Sequence, residues 1–169
     1  MEPYVEPWMR GYLTGSNPVL AAVLYSFQQA REELAKWAGD LSDEALWRSF
    51  GDIAPLGFHI RHLAGSIDRL TTYAAGESLT EEQFQVLKQE HDHGLPKDRL
   101  FELLEKSLQR AETLVRGVDP AQFTDLRYVG RKRIPATLAG LLIHIAEHTQ
   151  RHVGSAIITA KLARLPVDN

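Results

Sequence analysis

The chain contains no cysteine, which excludes disulfides, thiolate metal sites and a cysteine nucleophile. Any transition metal must therefore rely on imidazole, carboxylate or water. Also missing is an apolar run of the roughly 18 residues that a membrane span requires. Neither sign of charge dominates: 19 Lys and Arg oppose 22 Asp and Glu, for a net charge of -3. Because the signs are interspersed, the surface lacks the polybasic patch that nucleic-acid phosphates or an anionic membrane would need. The one basic run, Arg131-Lys132-Arg133, reads as a solvated loop. Repeats, low-complexity tracts and interdomain linkers are absent. Near the N-terminus, Glu2, Pro3, Glu6 and Pro7 stand where a secretory signal would carry a positive start and an apolar core. The expectation is a cytoplasmic protein that binds neither nucleic acid nor membrane.

What is present suits an ordinary globular chain: 169 residues, 44% hydrophobic and 24% charged. One domain over residues 1–169 is expected, with residues 1–16 as a lead-in segment. Asn17-Pro18 offers a helix cap and first turn, and Val19, Val23, Phe27, Ala30, Leu34 and Trp37 then recur at threes and fours to about Gly39. A short helical turn follows Leu41-Ser42-Asp43. Leu56, Ile60, Leu63, Ile67, Leu70 and Ala74 mark a second long helix, closed by Gly76. Thr80 and Gln83 form a capping-box pattern for a short helix to about Glu90. A third long helix runs from Pro96 to Val115 and a last one from Pro135 to about Ala163; DLRYVGRKRIP between them, where Tyr128-Val129-Gly130 is compatible with a short β-hairpin or an extended connection, is too short for either to be assigned and reads as a loop. Four long helices with apolar stripes and no convincing sheet predict an all-α four-helix bundle.

Seven histidines occur in the chain, and three of them, His144, His148 and His152, stand four residues apart on the last helix. The stripe Leu138, Leu141, Ile145, His148, His152, Ser155, Thr159 predicts that His148 and His152 face inward. Residues at i and i+4 are neighbours on a helix, so two imidazoles there can converge on one cation. His144 drifts about 40° toward the edge of the stripe and lies about 12 Å along the axis from His152, too far for both to bind one ion. The competing reading of the pair is two half-buried histidines satisfied by hydrogen bonds.

The second helix supplies His59 and His62, and bundle-core sites are built from side chains on facing helices. Two histidines from one helix and one from another make a three-histidine face with coordination positions open to water or substrate. Angular position alone favours His59, about 40° from Leu63, over His62, about 100° away.

These segments, PLGFHIRHLAGSIDRL and TLAGLLIHIAEHTQRHVG, resemble the DinB-like (YfiT-like) superfamily of metal-dependent enzymes. The resemblance implies a four-helix bundle that binds a divalent metal through one histidine on the second helix and a His-x-x-x-His pair on the last. His62-Leu63-Ala64 matches the family's second-helix pattern, which implies the ligand set His62, His148 and His152. Family members often continue His-x-Gly-Gln, whereas here His152-Val153-Gly154 is followed by Ser155. The implied activities include thiol S-transfer with a low-molecular-weight thiol and isomerisation of maleylpyruvate. Hydrolysis by an activated water is equally compatible with such a centre.

The expectation is thus a metal-dependent transferase or hydrolase acting on a small molecule, with zinc or nickel as cofactor and iron or copper also compatible. Its rival is a noncatalytic helical module with structural histidines, serving ligand binding or association. Glu147, Arg151, Asp68 and Arg69 read as salt-bridging residues, and His91 and His93 as surface loop. Tyr25, Gln28 and Tyr73 are candidates for the mouth of the bundle. A homodimer is expected, with Leu20, Leu24, Trp37 and Trp47 as contributors to its interface.

Overall fold

A computed structural model describes residues 4–11, 13 and 16–166 of the chain. The expected lead-in over residues 1–16 falls partly outside them; within them, Pro7–Met9 form a single 3-10 turn, and Arg10 ties this segment to Glu32 at 2.6 Å.

The helices begin where side chains can satisfy the free N–H groups of a first turn. In α1 (Pro18–Ala38) the Asn17 side chain accepts from the Val19 amide, with Pro18 opening the turn. Ser42 caps the four-residue α2 (Asp43–Leu46) in the same way. The second long helix, α3 (Leu56–Ala74), ends in a Schellman motif. There Gly76, at φ 83°, donates to the Tyr73 carbonyl, and Glu77 donates to that of Thr72. Both halves of the predicted capping box are formed at the start of α4 (Glu81–Lys88). The remaining long helices are α5 (Lys97–Gly117) and α6 (Leu138–Ala163).

The all-α four-helix architecture is as expected. Helix α3 packs on α5 and α6, and α1 packs on those same two helices, so α1 lies diagonally opposite α3 and α5 opposite α6. Phe27, Leu34, Ile60, Leu63, Ile67, Leu108, Leu142 and Ile145 fill the shared interior, each fully buried. Burying such a side chain is worth about 1.5–3 kcal/mol apiece.

One connection departs from expectation. Residues 125–137 are not a plain loop: β1 (Leu126–Val129) pairs antiparallel with β2 (Ile134–Thr137), in a register that sets Tyr128 opposite Pro135. Gly130 and Arg133 both take positive φ to close the turn. The last helix therefore starts at Leu138, capped by Thr137, and Pro135 belongs to the hairpin. Tertiary bonds hold this short ribbon in place, because Arg127 donates to the Ala74 carbonyl at 2.8 Å and the Leu138 amide to Asp125.

Among the described residues, no helix is long and apolar enough to cross a membrane. Of the side chains predicted for a dimer interface, Leu20 and Leu24 are buried in the chain's own core and cannot form an outer face. Trp37 and Trp47 are half-buried, and the Trp47 indole donates to the Leu95 carbonyl.

Candidate metal centre

The apolar stripe of α6 runs through Leu138, Leu142, Ile145, Thr149, Val153, Ala156 and Ala160. His148 and His152 do not lie on it, contrary to the sequence pattern; they sit half-buried on its flank, turned toward α3. The reason is geometric. At about 100° per residue the buried line passes one position beyond each histidine, and the core takes Thr149 and Val153 instead.

Across from that flank, α3 presents His62, also half-buried. Its ring centroid lies 4.4 Å from that of His152 and 5.2 Å from that of His148, and the two α6 rings are 4.7 Å apart. Each of the three offers one nitrogen, and these nitrogens lie within 4.8 Å of one another. His62 Nε2 and His148 Nε2 are 3.5 Å apart. Two imidazole nitrogens at 2.0–2.1 Å from one tetrahedral ion stand about 3.3–3.4 Å apart, so this spacing fits a shared metal. The three residues brought together are those that the family resemblance implied.

Two rings of this cluster have a partner for the outer nitrogen. The Nδ1 of His62 lies 2.8 Å from Glu90 Oε2, and the Nδ1 of His152 lies 3.2 Å from that of His59. A ring hydrogen-bonded through Nδ1 keeps Nε2 for a metal. His59, the residue favoured by angle alone, is thus beside the cluster and not in it. His144 is exposed and bonds Glu147 at 2.9 Å, outside the three-histidine group.

Electrostatics favour neutral rings at His59, His148 and His152. Burial, then the proximity of His62 and His148, pushes His152 down to about 4. Burial likewise lowers His148, and His59 is lowered by burial and by His62. Neutral imidazole is the form that donates a lone pair to a metal.

Sequence reasoning missed Glu90. It lies in the connection between α4 and α5, only 3% exposed, against Arg69 Nη1 at 2.6 Å as well as His62. Burial works to raise its carboxyl, but the hydrogen bond from His62 and the adjacent Arg69 charge outweigh this and hold it below the ordinary carboxylate value. The only available signal was a carboxylate directly before the His91-Asp92-His93 loop. That loop is exposed as expected, with His91 stacked on Phe58, and Phe58 in turn on His62.

The charged candidates form ion pairs, as expected. Glu147 pairs with Arg151 and Asp68 with Arg110, both at 2.5 Å. Tyr25 donates to the Gly11 carbonyl and Gln28 to Glu32, while Tyr73 lines a separate cavity with Phe84 and Tyr128.

A family model described as the DinB superfamily matches residues 26–156, a span that includes the three clustered histidines and Glu90. No curated protein matches the chain.

Proposed function

The chain belongs to the DinB superfamily, and on that premise we propose that it is a divalent-metal protein acting as an enzyme on a small molecule, by thiol S-transfer or by hydrolysis. One observation carries this reading: three imidazoles from two facing helices converge within 4.8 Å, on the flank of the core and not in its apolar interior. His62, His148 and His152 would hold the ion, with zinc or nickel the metals best suited to three imidazoles. Held by these three residues, a divalent ion would supply Lewis-acid chemistry to a bound water or thiol.

The chain's own residues prepare that centre. The lowered pKa values of His148 and His152 keep both rings neutral at pH 7, with no proton to displace from either. The Nδ1 of His152 is engaged by His59 and that of His62 by Glu90, which fixes the plane of each ring. Half-burial leaves one side of the cluster accessible to a substrate. Phe58, stacked between His62 and His91, supplies an apolar wall beside it.

The experiment is elemental analysis of untagged protein, followed by a screen of low-molecular-weight thiols and hydrolysable esters and amides with the metal-loaded form. Stoichiometric metal with turnover of either class supports the proposal. Metal-free protein whose stability does not respond to added zinc or nickel points instead to a noncatalytic helical module.

A further inference from the structure

Helix α4 has no buried residue, yet the segment just after it places Glu90 in the interior. Apolar packing of its own helix therefore does not account for that burial. A buried carboxylate needs partners to offset its lost hydration, and here α3 provides them. His62, Gly65 and Arg69 follow one another at i, i+3 and i+7, a single face of the helix. His62 bonds Oε2 through Nδ1 at 2.8 Å. Arg69 Nη1 lies 2.6 Å from Oε1, an ion pair buried on both sides. Gly65 leaves the space: a Cβ there would stand 2.5 Å from Glu90 Oε1 and 2.8 Å from Arg69 Nη1. Next to this face, Arg61 donates to the Asp92 carbonyl at 2.7 Å and pins the same segment.

A carboxylate is an acceptor only, so the proton of its bond with His62 sits on Nδ1. In the neutral ring Nε2 is then the bare nitrogen, and it is Nε2 that lies 3.5 Å from His148 Nε2. We propose that Glu90 is the positioning residue of the centre, its carboxylate fixing His62 as the Nδ1–H tautomer so that Nε2 meets His148 and His152 as a ready metal donor. This rests on the metal reading above. Arg69 and Gly65 act through Glu90, the first by holding its charge and the second by giving it room. The orientation of a ligand on α3 thereby depends on how the connection between α4 and α5 is seated.

The test uses the full chain, labelled with 15N, metal-free at pH 7, with long-range imidazole spectra assigned through His62→Gln and zinc titrated against a competing chelator. In the wild type, His62 should carry its proton on Nδ1 alone. In Glu90→Gln the amide can either accept from or donate to that nitrogen, so both tautomers should appear and zinc affinity should fall about 10-fold or more. A role confined to folding would change the melting temperature without moving the tautomer. Should Glu90→Gln fail to fold, Glu90→Asp retains the charge and withdraws the oxygen by one methylene, with the same loss expected. An Nε2–H tautomer in the wild type, or a variant with unchanged tautomer and zinc affinity, would overturn the proposal. A wild type that takes up no zinc, yet shows the Nδ1–H form lost in Glu90→Gln, upholds the positioning and sinks the metal reading.

Discussion

His59 and His152 face each other through like atoms, Nδ1 to Nδ1 at 3.2 Å, so one ring must donate and the other accept. If His152 gives Nε2 to a metal, its Nδ1 carries the proton and His59 accepts it. His59 is then a support for a ligand and not a ligand. His59→Ala should weaken metal binding about 10-fold, whereas His62→Ala should abolish tight binding. A chelator-competition titration of both variants checks this, and the reverse order would move the centre to His59.

On α6 the three histidines at steps of four should contribute unequally. His148 and His152 belong to the cluster, whereas His144 pairs with Glu147 in solvent. Replacement of either clustered ring by alanine should empty the site at neutral pH. His144→Ala should leave it filled and change stability little, since exposed ion pairs are worth about 0–1 kcal/mol. Metal content after desalting measures all three, and equal retention would contradict the arrangement.

The pH dependence has a definite sign. His152 titrates at about 4 in the folded chain against 6.5 for the ordinary side chain, and His148 is lowered in the same direction. Below pH 6.5 the unfolded chain takes up protons that the folded rings refuse, so the metal-free protein should lose stability as pH falls from about 6.5 toward 4. Thermal melts across that window should show the decline, and it should be shallower in His152→Ala. A flat wild-type profile would argue that these rings are not held neutral.

Gly57 offers a test of the packing around the site. A Cβ there would lie 2.6–2.8 Å from three atoms of the Trp47 indole. Gly57→Ala must displace a ring that also donates to the Leu95 carbonyl and stacks on His93. Overpacking of this kind costs about 1–3 kcal/mol. Urea unfolding should show that loss, and an unchanged midpoint would mean that Trp47 is free to move.

The helices were legible because their caps and stripes are local: Asn17 with Val19, Thr80 with Gln83, and the Gly76 terminus all act within a few residues. The hairpin was legible only as an alternative to a loop, since its strands have four residues each, are largely exposed and are held by Arg127 reaching back to Ala74. In the centre, the i, i+4 spacing identified His148 and His152, but periodicity could not choose between His59 and His62. Helix α3 is buried on several sides, by α5, α6 and the Glu90 segment, so a single inward direction does not exist for it. Glu90 meets His62 across 28 residues of chain, a contact that no local pattern encodes.

The most direct test of the account is metal analysis by mass spectrometry of untagged protein, supplemented with zinc or nickel and then desalted, for the wild type beside His62→Ala and His148→Ala. The account predicts about one divalent ion per chain in the wild type and none in either variant. A wild type that stays metal-free, or variants that retain as much metal as it does, would contradict it.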